Sequence, residues 1–139
     1  MKTEIVIFVE DDSHTALSLA NNLVYHIKEA GLKLLVFTDA EAAADVIRNT
    51  NQYCINGAII DLWMIDKVTG SENAEKGQEL IKMVKEHHAN ANIVVLSSHV
   101  SAKDKEAFEK MQRVLALRKP ASTNEIFEAL RLSKITTNS

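Results

Sequence analysis

Five short runs of apolar, largely β-branched residues, separated by stretches of helical spacing, constrain this chain more than any other feature. The runs are "EIVIFV" (4–9), "KLLVF" (33–37), "NGAIID" (56–61), "NIVVLS" (92–97) and "VLALRK" (114–119). Continuous apolar runs of this length, without polar alternation, are the pattern of strands buried on both faces of a parallel sheet. In the first intervening stretch Leu17, Ala20, Leu23, Val24, Ile27 and Ala30 recur at helical steps, and Gly31 supplies a stop. Further helices are expected at about 40–49, 77–88, 102–112 and 123–133. Thr38-Asp39-Ala40-Glu41 and Ser122-Thr123-Asn124-Glu125 read as capping boxes, and Ser101 with Asp104 as a weaker start signal.

Five strand–helix units predict a three-layer, doubly wound α/β domain with a five-stranded parallel sheet. Right-handed crossovers and the strand count favour the order 2-1-3-4-5. That order makes the first and third strands neighbours where the winding reverses, and a crevice opens at their C-terminal ends. The 139 residues are read as one domain, with a core over about 4–132 and a polar tail at 133–139 that frays.

The remaining bulk properties exclude several classes. A formal net charge of −3 without a basic block argues against a general nucleic-acid binder. A lone Cys54 excludes a disulfide framework, and the N-terminal apolar run is too short to be a membrane span or a signal peptide. A cytoplasmic protein is expected. His87-His88 reads as a solvated helix end, and His14 and His26 show no ligand spacing.

One strand poses a chemical problem. "GAIIDLWM" (57–64) drives a core strand straight into Asp61, and burying a lone carboxylate is costly. In the expected strand order, Glu10-Asp11-Asp12 and Asp61 end neighbouring strands and converge on the crevice. Such carboxylates repel one another unless a cation sits among them, and hard oxygen donors with room for water suit Mg²⁺. Asp12 and Ser13 are read as caps of the first helix, and Asp11 with Asp61 as metal ligands. At the same sheet edge lie Ser97, a hydroxyl donor, and Lys119, an ammonium point charge before the only proline, Pro120.

Together these residues resemble the receiver domain of bacterial two-component response regulators, over about residues 4–132. The matching elements are Glu10-Asp11 after "IVIFV", Asp61 in "AIIDLWM", Ser97 in "IVVLSS" and Lys119-Pro120 in "LALRKP". The resemblance implies a flavodoxin-like fold and a phosphoacceptor, Asp61, that takes a phosphoryl group from a sensor histidine kinase or phosphotransfer protein. It implies Mg²⁺ held by Asp11, Asp61 and the Trp63 backbone carbonyl, with Glu10 acting through water. It further implies Ser97 and Lys119 on the phosphoryl oxygens, a cis bond before Pro120, and Trp63 and His99 flanking the group. No nucleic acid, membrane or separate enzymatic turnover is expected; any output would be contact with a downstream protein.

The sequence also departs from that family. Ile65 stands four residues after Asp61, where proline is usual, and "IDKVTGSENAEKGQEL" delays the third helix, with Gly77 the better match to its opening glycine. The long segment reads either as a tolerated insertion or as a partner-binding element. Ala116 replaces the usual aromatic switch residue, and Ser98 follows the strand-four hydroxyl. Two other classes compete: a pseudo-receiver that no longer takes phosphate, and an aspartyl-phosphate hydrolase. The hydrolase would need an acid at the position of Trp63.

Overall fold

The computed structural model describes residues 1–65, 68–99 and 101–132. The expected fraying of the tail at 133–139 lies outside the described residues. The elements are β1 (Thr3–Val9), α1 (Ser13–Glu29), β2 (Lys33–Phe37), α2 (Ala40–Arg48), β3 (Tyr53–Asp61), β4 (Met64–Ile65), β5 (Glu72–Asn73), α3 (Glu75–His87), β6 (Asn92–Ser97), α4 (Ala102–Lys110), β7 (Val114–Arg118) and α5 (Thr123–Leu130). The main sheet runs β2-β1-β3-β6-β7 with every pair parallel, so its five strands take the expected 2-1-3-4-5 order.

Its two faces bury alternate residues of the same strands. Ile5, Ile7, Val9 and Ile60 pack with Ile47, Leu80, Val84 and Phe108 under α2, α3 and α4. Val6, Phe8 and Ile59 pack with Leu23, Ile27, Ile126 and Leu130 under α1 and α5. A central strand therefore has no solvent face, which is why its sequence carries no polar alternation.

Local chemistry sets the helix boundaries. Asp12 caps α1, accepting from the His14 and Thr15 N–H groups, as the sequence suggested, while Ser13 is the first helical residue. Ser122 and Glu125 form the full capping box of α5, and Ser101 accepts from the Asp104 N–H. At α2 the cap is Asp39 rather than Thr38: its carboxylate accepts from Glu41 N–H at 3.0 Å, so the expected box is replaced by a one-sided cap. Gly31 leaves α1 with φ of 81°, a conformation that favours glycine. Leu17 and Val24 do not join the core. They are 63% and 40% exposed, because the stripe on α1 is wider than the sheet edge beneath it.

His88 overturns the reading of a solvated helix end. It caps α3 half-buried, its Nδ1 accepting from the Ile55 N–H at 3.2 Å and its Nε2 2.8 Å from the Ile47 carbonyl. Ile55 adjoins the irregularity in the β1–β3 pairing, where Ile5 faces Ile55 but Val6 faces Gly57. Burial, then the charges of His87 and Lys2, hold the imidazole below its ordinary value against the raising effect of the bond to Ile47. Only the neutral ring can accept from Ile55. The contribution is therefore complete above the ordinary value of 6.5 and is lost as pH falls below it. His88→Leu is expected to cost about 1–2 kcal/mol at pH 8. Thermal melts should show the gap to wild type narrowing toward pH 5; a gap independent of pH would refute the assigned role.

Candidate functional site

Four strand ends at the C-terminal edge of the sheet carry the site, and main-chain bonds continue past three of the strands. Glu10 N–H donates to the Phe37 carbonyl at 3.0 Å, Leu62 N–H to Leu96 at 2.9 Å, and Lys119 N–H to Ser97 at 2.8 Å. Glu10, Leu62 and Lys119 thus continue the register of the sheet beyond its strands. The Lys119–Pro120 peptide is cis.

This placement brings the sequence-nominated residues together. Lys119 Nζ lies 2.8 Å from Glu10 Oε1 and 3.2 Å from Asp61 Oδ1. Carboxylate oxygens of Glu10, Asp11 and Asp61 all fall within 4.8 Å of one another. Glu10 and Asp61 are only 2% and 4% exposed. Burial pushes the Asp61 carboxyl up to about 8, and the hydrogen bond and charge of Glu10 add to this while Lys119 pulls back. Burial also raises Glu10, but its bonds to Asp61 and Lys119 outweigh that, and it lies below its usual value. The two acids are therefore coupled, and the pair resists ionising both carboxyls at once. Lys119 loses by burial but gains more from both carboxylates, and its ammonium is held above its ordinary value.

The donor set fits a divalent cation. Three carboxylates crowded within 4.8 Å at one crevice, two of them buried, are relieved by a hard ion that takes oxygen ligands and keeps water.

Ser97 and Trp63 meet at one atom. The Ser97 hydroxyl donates to the His99 carbonyl at 2.7 Å and accepts from the His99 N–H at 3.1 Å. The Trp63 indole N–H donates to the same carbonyl at 2.9 Å, and its ring lies 6.4 Å from the His99 ring. A hydroxyl has one proton, so Ser97 must release His99 before it can donate to a phosphoryl oxygen. The indole N–H would keep that carbonyl paired.

One feature escaped the sequence reading. The segment after Asp61 is not a plain loop: Met64 pairs with Asn73 and Ile65 with Glu72 in an antiparallel ribbon, and the Ile65 N–H donates to Asp11 Oδ2 at 2.7 Å. Gly77, the expected opening glycine, lies in the first turn of α3, where an added Cβ would lie 2.6 Å from the Leu62 carbonyl oxygen and 3.1 Å from that of Asp61. Only the mismatch at Ile65 and the delayed third helix hinted at the ribbon.

The fold and the site together define an α/β domain with an acidic, lysine-bearing crevice at the switch point of its sheet. The sequence matches the response regulator receiver domain family over residues 6–131, and the chain belongs to that family. No protein of curated function matches it. Among solved structures it is similar to a CheY-like receiver domain protein from Methanospirillum hungatei, at 14% identity and a TM-score of 0.69 over 94% of this chain and 92% of that one. A Francisella response regulator receiver domain shares 22% identity, with a TM-score of 0.65 and 94% of each chain covered. A Burkholderia pseudomallei response regulator with a phosphorylated aspartic acid and a calcium ion shares 19%, with a TM-score of 0.65, over 99% of this chain and 68% of that one. At these identities the structures speak for the fold. Among the described residues no helix is long and apolar enough to cross a membrane.

Proposed function

We propose that this chain is a phosphoacceptor signalling protein. Asp61 takes a phosphoryl group from a phosphohistidine on a sensor kinase or phosphotransfer protein, and the output is contact with a downstream protein. The observation that carries this reading is the convergence of Glu10, Asp11, Asp61 and Lys119 on one crevice of a receiver fold.

In the transfer, an Asp61 oxygen forms the new bond to phosphorus as the phosphorus–nitrogen bond to the donor imidazole breaks. Positioning and neutralisation of the phosphoryl oxygens are most of the catalysis such a step needs. Asp61 must be ionised to attack, which a cation in the crevice favours. Mg²⁺ would be held by Asp11, Asp61 and the Trp63 carbonyl, with Glu10 through water, and would supply charge neutralisation. Lys119 lies near enough to Asp61 Oδ1 to reach the incoming phosphoryl oxygens, and Ser97 would follow by turning from His99. A groove of about 450 Å³, lined by His14, Ser18 and Leu19 of α1 with Pro120 and Ala121, runs beside Lys119 and offers room for the donor. On this reading the chain works in the cytoplasm and turns over no separate substrate.

Trp63, the only tryptophan, is a built-in reporter. Mg²⁺ is expected to quench its fluorescence, and acetyl phosphate or beryllofluoride to change it further. An unresponsive wild type, or an undiminished acetyl phosphate response in Asp61→Ala, would sink the phosphoacceptor reading and leave the pseudo-receiver. Rapid turnover of unrelated phosphate esters would favour the hydrolase.

A further inference from the structure

We infer that the β4–β5 ribbon is a positioning element for the metal centre, acting through the backbone N–H of Ile65 on Asp11. The inference rests on the Mg²⁺ reading above.

Asp11 lies on the turn after β1, half-buried, and its carboxylate has two oxygens that can each accept bonds. The Ile65 N–H holds one of them, Oδ2, at 2.7 Å. A carboxylate held this way has already given up its rotational freedom in the fold, and the other oxygen keeps its lone pairs for a cation. Hydrogen bonds of this kind behind a metal ligand fix its orientation, and their loss commonly weakens metal binding by about 10–100-fold.

The donor belongs to an element with little stability of its own. The ribbon pairs two residues with two, and a hairpin of that size is marginal in water. Just before β5 the Thr69 and Ser71 hydroxyls lie 2.8 Å apart and Gly70 has φ of 73°. The bond to Asp11 joins this ribbon to the crevice across 54 residues of sequence. Coupling between two sites is reciprocal. If the ribbon orders Asp11 for the ion, the ion bound by Asp11 must steady the ribbon by the same factor.

The side chain of Ile65 is 55% exposed, so it can be changed while its N–H stays. Ile65→Ala keeps the donor, and Ile65→Pro removes it, since proline is the residue without an N–H. Titrating each with Mg²⁺ and following Trp63 fluorescence should give an affinity within about twofold of wild type for Ile65→Ala. Ile65→Pro should bind roughly tenfold more weakly. A wild-type response that Ile65→Pro leaves unchanged overturns the inference alone. Absence of any wild-type response overturns the phosphoacceptor reading as well. Should Ile65→Pro fail to fold, hydrogen exchange at the Ile65 amide of the wild-type protein decides. Exchange slowed severalfold by Mg²⁺ supports the coupling, and exchange indifferent to Mg²⁺ refutes it.

Discussion

Asp61→Asn should abolish phosphoryl incorporation from acetyl phosphate while raising the melting temperature of the metal-free protein by about 5–10 °C at pH 7. The two effects have one origin. In the folded chain Asp61 is pushed from its ordinary value of 3.8 up to about 8, by burial first and by Glu10 second. The folded state therefore binds more protons than the unfolded state between those values, and stability falls as pH rises through the window. By pH 7 the site has cost about 2–4 kcal/mol, less than the full shift implies, because Glu10 and Lys119 redistribute the charge. Asparagine has nearly the same shape and no charge, so it removes the cost together with the nucleophile. The advantage of Asp61→Asn should be smallest near pH 4, grow toward pH 8 and level off above it. Saturating Mg²⁺ should narrow or reverse it by stabilising the wild type. Melts in EDTA across pH 5–9 test this, and a variant no more stable than wild type at any pH would refute the buried-charge account. The phosphoacceptor is thus a position where the fold is destabilised in favour of chemistry.

Much of this was legible in the sequence because parallel strands buried on both faces write themselves as unbroken apolar runs. The buried β6 falls on the expected residues, and β3 starts only three residues earlier than expected, at Tyr53 rather than Asn56, while the edge strand β2 keeps its apolar run without full burial. Once the strand order is known, the acids, Ser97 and Lys119 must share one edge, since each lies at a strand's C-terminal end. What stayed hidden lies off that periodicity. β4 and β5 are two residues each and too short to carry a pattern. The bonds from Trp63 to His99 and from Ile65 to Asp11 span 36 and 54 residues, so no local rule announces them. His88 looked solvated because its sequence neighbours are polar, whereas its partners come from α2 and β3. Leu17 and Val24 looked buried because helical spacing reports a stripe and says nothing of how far the edge strand β2 reaches beneath it.

Gly77→Ala should have the opposite sign from the usual helix substitution. Alanine in place of glycine inside a helix ordinarily gains about 1 kcal/mol. Here the new Cβ would lie 2.6 Å from the Leu62 carbonyl oxygen, 2.9 Å from Leu62 Cα and 3.1 Å from the Asp61 carbonyl oxygen. These are backbone atoms, with no flexible side chain to swing aside, so α3 or the turn after β3 must move. Overpacking of this kind costs about 1–3 kcal/mol net, and the strain falls on the segment that carries the nucleophile. Displacing a reacting group by about 1 Å can cost on the order of 100-fold in rate. Gly77→Ala should therefore lower the melting temperature by several degrees and slow phosphorylation by acetyl phosphate at least tenfold. Gly70→Ala provides the contrast. Its φ of 73° strains alanine, but nothing lies within 4 Å of the new Cβ, so stability should fall modestly while the Asp61 turn keeps its packing. A Gly77→Ala protein as stable as wild type and phosphorylated at the wild-type rate would mean that the close approach of α3 to the Asp61 turn does not hold the phosphoacceptor in place.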